Sequence, residues 1–136
     1  SKYWEWLDTL FLHLSGKPIG QLQYTHHMSV PFVTYVNISS FVSSYGLILA
    51  GSNCLVHIFM YWYFAFPKGF LYYYRKLITK SQIMQHMIVC YTLIYVETLK
   101  NCNQNIYGNR LGIFLYSMYL FYFGRFYINV YIYKHE

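Results

Sequence analysis

Long apolar runs that carry almost no charge constrain this chain more than any other feature of its sequence. Residues 28–50 contain no charged side chain, and Arg125 is the only charged residue between Leu111 and Tyr133. A helix of about 20 mostly apolar residues is long enough to cross the hydrocarbon core of a bilayer. We therefore expect segments whose solvent is lipid.

The overall composition agrees with this expectation. Hydrophobic residues make up 57% of the 136 residues, and charged residues make up 10%. Soluble domains carry roughly 25% charged residues, because a protein of this size has a large surface to keep in water. The sequence predicts an all-α fold in the form of a polytopic membrane helical bundle.

Five stretches account for the predicted helices. Their bounds are Tyr3–Leu14, Met28–Ala50, Asn53–Phe66 with an aromatic extension at Phe70–Tyr74, Ile83–Leu99 and Leu111–Tyr133. The composition of residues 15–20 and of Gly51-Ser52 predicts a turn at each place.

The net charge of +6 does not indicate a nucleic-acid-binding protein. The basic residues lie between the apolar runs, as membrane-flanking charges do. The loops on one side carry Lys17, Lys68, Arg75, Lys76, Lys80 and Lys134, and those on the other side carry Lys2, Lys100 and Arg110. The positive-inside rule makes the first side cytosolic, which places the C-terminus in the cytosol.

Polar side chains recur at helical spacing within these apolar stretches. The four stripes are Lys2, Glu5, Asp8 and Thr9; Gln23, His26 and His27; Asn53, His57, Met60 and Tyr61; and Thr79, Gln82 and Gln85, extended by His86. Residues three or four apart share one face of a helix, and polar faces inside lipid pack against one another. We expect a polar interior lined by histidines.

Each stripe also has a purely structural interpretation. The alternatives are a helix-end charge pair for Lys2, Glu5 and Asp8, interhelical hydrogen bonds for Gln82 and Gln85, and a core position for His57. The adjacent histidines are harder to ascribe to packing. We expect only His26, His27 and His57 to converge, and we expect His86 to stand alone.

Clustered imidazoles can act as metal ligands, as acids and bases, or as nucleophiles. Three histidines can hold one zinc ion, but they cannot furnish the di-iron cluster of a membrane oxygenase or desaturase. No metal site is predicted. A His-metal oxygenase is the first alternative function, and a non-enzymatic transporter with polar stripes along its pathway is the second.

The four stripes resemble the motifs of the ELO family, the very-long-chain fatty acid elongases of the endoplasmic reticulum. The motifs KxxExxDT, HxxHH, NxxxHxxMYxYY and TxxQxxQ are similar to residues 2–9, 23–27, 53–64 and 79–85. Gln23 stands in the outer position of the histidine box, and Phe64 replaces the last Tyr of the third motif.

The resemblance implies a single transmembrane elongase domain over residues 1–136. Its expected form is five of the family's seven helices around a narrow apolar tunnel, with the N-terminal spans truncated, in the endoplasmic reticulum membrane. The implied partners are the lipid bilayer, acyl-CoA and malonyl-CoA, the reductases and dehydratase of the elongation cycle, and a second copy in a homo-oligomer. Nucleic acid is not among them.

The resemblance also implies the reaction and its residues. An acyl-CoA and malonyl-CoA give a 3-ketoacyl-CoA two carbons longer, with release of carbon dioxide and CoA and without a cofactor. His26 is the expected nucleophile through an acyl-imidazole, His57 the second imidazole, and His27 the residue that orients the first, with Gln23 in the outer position. The expected substrate-binding residues are Lys2, Glu5, Asp8, Asn53, Tyr61, Arg75, Lys76, Thr79, Lys80, Gln82 and Gln85.

Overall fold

Helices form almost all of the structure, a computed structural model that describes residues 4–40, 44–99 and 106–133. They are α1 (Glu5–Leu14), α2 (Gln21–Ser40), α3 (Ser44–Ala65), α4 (Arg75–Thr98) and α5 (Ile106–Tyr131). A single turn of 3-10 helix, Phe70–Tyr72, precedes α4. The described ranges contain no strand, so the all-α prediction is confirmed for them.

The turn predicted at residues 15–20 is present, and its geometry follows from Gly16. This glycine has φ +64°, a conformation that costs a residue without a Cβ very little. The Gly16 N–H donates to the His13 carbonyl and the Lys17 N–H to the Leu12 carbonyl, at 3.0 and 3.1 Å. This Schellman pattern satisfies the last carbonyls of α1 and turns the chain toward α2.

The predicted turn at Gly51-Ser52 is wrong, and the predicted span Met28–Ala50 includes residues 41–43, which lie outside the described ranges. Residues 28–40 belong to α2 and residues 44–50 to α3, and α3 continues through Gly51-Ser52 without interruption. A glycine inside a helix costs only about 1 kcal/mol, and apolar residues on both sides outweigh it. The Ser52 hydroxyl donates to the Leu49 carbonyl within the same helix, at 2.8 Å.

The predicted C-terminal bounds are close to the observed ones, but α3 extends back to Ser44, before the predicted Asn53, and α5 extends back to Ile106, before the predicted Leu111. Helix α4 begins eight residues before the predicted Ile83, because its polar first turns continue the helix outside the apolar run. The proposed aromatic extension Phe70–Tyr74 is not part of α3, which ends at Ala65 before Pro67. The Gly69 N–H donates to the Phe66 carbonyl at 2.9 Å and closes this turn.

Backbone contacts join the helices in the order α1, α2, α5, α4 and α3. Side chains connect the two ends of this series. The Tyr61 hydroxyl of α3 donates to Asp8 Oδ2 of α1 at 2.6 Å, and His57 Nδ1 of α3 lies 3.6 Å from Glu5 Oε1 of α1. Every helix therefore contacts at least two others around a common interior.

One helix, α5, is long and apolar enough to cross a membrane by length and composition, among the residues that the structure describes. The ten residues of α1 extend only about 15 Å. Helices α2 and α4 carry several Gln, His, Ser and Thr side chains that lower their mean hydropathy. The polytopic arrangement and the tunnel remain predictions.

Large apolar side chains cover the outside of the helices. Phe11, Tyr35, Trp62 and Phe114 are each more than half exposed, and many other aromatic residues are similar. The buried core is small by comparison and centres on Tyr119, which is 1% exposed. An outer surface of this kind is typical of a protein that other apolar material surrounds.

We predict that the α4–α5 contact does not accommodate a large side chain at Gly112. A Cβ there would lie 3.1 Å from Leu93 Cδ1, whereas a Cβ at Gly124 of the same helix meets nothing within 4 Å. Because overpacking costs about 1–3 kcal/mol, Gly112→Leu should lower the thermal unfolding midpoint in detergent. Gly124→Leu is the control and should not lower it. Equal midpoints for the two variants would contradict this packing.

Candidate active site

The polar stripe of α1 points inward toward α3. Glu5 is buried, 6% exposed, although it lies in the first turn of the helix. Its carboxylate faces the imidazole of His57, and one turn later Asp8 accepts the hydroxyl hydrogen of Tyr61. A buried carboxylate needs a charged or hydrogen-bonded partner, so the stripe fixes how α1 meets α3. Lys2, predicted in the same stripe, lies outside the described residues.

Helix α1 is also attached to α2, at a backbone carbonyl that a proline leaves without its usual helical donor. Pro31 has no N–H, so it cannot make the helical hydrogen bond to the carbonyl of His27. The indole Nε1–H of Trp6 donates to that carbonyl instead, at 2.6 Å. The Thr9 hydroxyl, one turn after Trp6, hydrogen-bonds with His27 Nδ1 at 2.8 Å. The backbone and the ring of His27 are both held by α1.

His26 lies at the centre of an aromatic and imidazole cluster. Its ring centroid is 5.6 Å from that of His27, 6.5 Å from His57, 6.2 Å from His86 and 5.0 Å from Tyr119. These residues come from α2, α3, α4 and α5, and Glu5 adds a group from α1. All five helices therefore meet at His26. The predicted convergence of His26, His27 and His57 is present.

The expectation that His86 stands alone is wrong. His86 is 3% exposed, and its ring contacts His26 and the rings of Tyr116, Tyr119 and Phe123. Its Nδ1 lies 2.6 Å from the backbone carbonyl of Gln82, one helical turn earlier. A carbonyl only accepts, so Nδ1 carries the hydrogen, and in the neutral ring the lone pair is on Nε2.

A signal for His86 exists in the sequence, but none exists for Tyr119. Thr79, Gln82 and His86 stand at i, i+3 and i+7, which places the histidine on the same helical face as the other two. Tyr119 is one of 18 tyrosines, so its type and position do not distinguish it. In the structure its hydroxyl hydrogen-bonds with that of Ser29, and its ring packs against His26 and His86.

The remaining amide residues of the predicted site lie near the cluster. Gln23 is half-buried one turn before His26, and Asn53 is half-buried one turn before His57. The Gln82 side chain donates from Nε2 to Met60 Sδ at 3.3 Å, which ties α4 to α3. Gln85 is buried, 7% exposed.

Thr79 and the basic residues occupy the first turns of α4. Thr79 is buried, and its hydroxyl lies 3.4 Å from the hydroxyl of Tyr131. Arg75, Lys76 and Lys80 are exposed. The Arg75 guanidinium lies over the ring of Tyr72, 4.6 Å from its centroid. These cations form a group at one end of the molecule, away from the four imidazoles.

Three groups of the cluster are placed to ligate a single metal ion. One ligand atom each from Glu5, His26 and His27 lies within 4.8 Å of the others. The same arrangement offers a nucleophilic imidazole, further imidazoles that can accept or donate a proton, and a carboxylate that stabilises a protonated ring.

Comparison with known proteins identifies the family of the chain. The model of the ELO (GNS1/SUR4) family matches residues 1–136. Fatty acid elongase 3 of Trypanosoma cruzi is 35% identical over 97% of the chain and 47% of its own length. Fatty acid elongase sre1 of Dictyostelium discoideum is 31% identical over 96% of the chain and 50% of its own length.

A third relative, long chain fatty acid elongase 2 of Caenorhabditis elegans, is 32% identical over 93% of the chain and 49% of its own length. The chain thus spans about half the length of the curated relatives it matches. No solved structure matches it.

We predict that Trp6→Phe weakens the attachment of α1, because the carbonyl of His27 loses its donor while Pro31 cannot replace it. An unsatisfied carbonyl of this kind costs about 1–3 kcal/mol. Amide hydrogen exchange in α1 should accelerate in the variant. Trp4→Phe is the matched control, since Trp4 is 73% exposed, and exchange should stay unchanged. Equal exchange rates in α1 for the two variants would refute the role of Trp6.

Proposed function

The chain belongs to the ELO family, and on this premise we propose that the protein catalyses the condensing step of fatty acid elongation, as a very-long-chain 3-oxoacyl-CoA synthase. The observation that carries the proposal is the meeting of His26, His27 and His57 in one cluster that also contains Glu5. These residues belong to three of the motifs that the family shares. The relatives are named as fatty acid elongases, and the assignment of the condensing reaction to this chain is our proposal.

The proposed reaction proceeds in two steps. A nitrogen of His26 attacks the thioester carbonyl of an acyl-CoA, the C–N bond forms, and the C–S bond breaks to release CoA, which takes up a proton. Malonyl-CoA then loses carbon dioxide to give an enolate, whose carbon attacks the acyl-imidazole and releases the imidazole. The sum consumes one proton and yields a 3-ketoacyl-CoA, CoA and carbon dioxide without a redox change or a cofactor.

His26 is the best placed nucleophile because the other rings surround it. In the neutral form of His26, one ring nitrogen carries a lone pair that can attack a thioester carbonyl. An acyl-imidazole is a reactive acyl donor, so one difficult displacement becomes two easier ones. The contact between Thr9 and His27 Nδ1 fixes the neighbouring ring, which then orients His26.

His57 serves the second half of the reaction. Glu5 Oε1 lies 3.6 Å from its Nδ1, so the carboxylate stabilises the ring when it is protonated. A positive charge close to the malonyl group favours loss of carbon dioxide, because it stabilises the enolate that forms. The bond from Tyr61 to Asp8 holds the same part of α3 against α1.

The amide side chains supply hydrogen bonds to the thioester oxygen. Gln82 now donates to the sulfur of Met60, a weak acceptor, and a carbonyl oxygen that gains charge is a stronger one. Asn53 and Gln85 have the same donor chemistry. Gln23 replaces the outer histidine of the box, and its amide can orient a neighbouring ring but cannot relay protons as imidazole does.

The basic end of α4 is the proposed site for the CoA phosphates. Arg75, Lys76 and Lys80 are exposed there, and Lys2 is a further candidate outside the described residues. In our proposal this end faces the cytosol of an endoplasmic reticulum membrane, and the acyl chain extends between the helices. Each buried methylene contributes about 0.8 kcal/mol, so the length of that space sets the preferred chain length.

We expect His26→Ala to reduce carbon dioxide release from malonyl-CoA at least about a thousandfold, because the acyl-enzyme can no longer form. The assay uses the full-length protein in microsomes, with label in the free carboxylate of malonyl-CoA. With acyl-CoA alone, rapid acid quenching and peptide mass spectrometry should find the acyl group on His26. His13→Ala is the control, since His13 is exposed on α1. An acyl group on another residue would overturn the assignment.

We also expect the double variant Arg75→Ala, Lys76→Ala to raise the KM for acyl-CoA about three- to tenfold with kcat little changed. Two exposed charge contacts of about 0.2–1 kcal/mol each correspond to a factor of about two to thirty, and the expected rise lies within this interval. The effect should shrink as salt is added. Arg110→Ala is the control, because Arg110 is exposed in the first turns of α5, 3.5 Å from Glu97 near the C-terminal end of α4. The same rise in KM for Arg110→Ala would contradict this placement.

A further inference from the structure

The cluster contains a donor set for a transition metal ion, although the proposed reaction requires no metal. Ligand atoms of Glu5, His26 and His27 lie within 4.8 Å of one another, and Glu5 and His27 are buried. One carboxylate with two imidazoles is a donor set that Zn²⁺ binds with an open fourth position. The three residues come from two helices, α1 and α2, that pack against each other.

The distances are compatible with zinc after small side-chain rotations. Zinc bonds of about 2.0–2.1 Å in a tetrahedron place ligand atoms roughly 3.3 Å apart. Separations of up to 4.8 Å close to that value when the side chains turn toward a shared ion. Trp6 and Thr9 already hold α1 against His27, so the two helices that carry the three ligands are joined before any ion binds.

The surroundings resemble the outer shell of a metal site. A ligating histidine usually gives its second ring nitrogen to an oxygen atom, which sets the ring's orientation. Thr9 Oγ1 contacts His27 Nδ1 at 2.8 Å, so His27 can ligate through Nε2 without breaking this contact. His57 Nδ1, 3.6 Å from Glu5 Oε1, is close enough to supply a fourth ligand or a hydrogen bond.

We propose that Glu5, His26 and His27 form a Zn²⁺ site and that bound zinc inhibits acyl transfer. The ion takes the lone pair of His26, so that nitrogen can no longer attack a thioester. The proposal that these residues bind zinc rests on the geometry alone. The proposal that zinc inhibits acyl transfer rests on the proposed function. Zinc and the acyl group compete for one atom, so a long-chain acyl-CoA should displace zinc and zinc should block acylation.

The test begins with binding, measured without substrate. The full-length protein is stripped of metal in detergent, and Zn²⁺ is titrated against a competing chelator. We expect one tight equivalent, and Glu5→Gln and His27→Asn should each weaken it about ten- to a hundredfold. His13→Ala is the control for zinc bound at an exposed histidine and should leave the affinity unchanged. Thermal unfolding of the metal-free variants identifies any that do not fold.

The second arm measures acylation and separates the two proposals. Zinc at saturating concentration should suppress the acyl adduct on His26, and a chelator should restore it. If Glu5→Gln and His27→Asn, both folded, bind zinc as tightly as the unmodified protein, the zinc site is refuted. If zinc binds at these residues but neither an adduct nor condensation occurs without it, the site stands and the proposed function fails. If condensation persists with zinc bound at Glu5, the inhibition is refuted.

Discussion

A polar side chain on an otherwise apolar helix has to find a partner inside the protein, and this constraint organises the five helices. Leaving such a group unpaired away from water costs several kcal/mol, more than most single packing contacts provide. Glu5, His57 and His86 are therefore met by polar atoms or rings of their neighbours. The outer faces of the helices carry aromatic and aliphatic side chains, which need no polar partner.

His27 connects the helical backbone to the proposed chemistry. Pro31 frees its carbonyl, Trp6 takes that carbonyl, and Thr9 holds its ring beside His26. The helical hydrogen bond that is missing at Pro31 thus leaves an acceptor that positions α1. Helix α1 in turn brings Glu5 to the histidines. The same residues explain why a metal ion and an acyl group are rivals: both use the side chain that this arrangement presents.

The sequence predicts the interior of this structure better than its helix ends. Periodic spacing places Glu5, Asp8 and Thr9 on one helical face, and the packing of polar faces against one another predicts that His26, His27 and His57 meet. The uninterrupted course of α3 through Gly51-Ser52 is not readable in this way, since glycine and serine are also typical of turns. Periodicity alone cannot separate one long helix from two.

Two further features depend on three-dimensional neighbours. The bond from Trp6 to the His27 carbonyl follows from Pro31 only once α1 is known to pack there. Tyr119 lies in the cluster because α5 packs against α2 and α4. No local pattern in a tyrosine-rich chain specifies this packing. His86 is the intermediate case: its face is readable, but its closeness to His26 depends on how α4 packs.

An electron cryo-microscopy structure of the full-length protein in lipid nanodiscs tests the central claim most directly. Our account predicts that the rings of His57 and His86 flank His26 in the interior, with centroids near 6.5 and 6.2 Å from it, and that Glu5 faces His57. A map that places these rings on separate walls, or turns His26 toward the lipid, would contradict it.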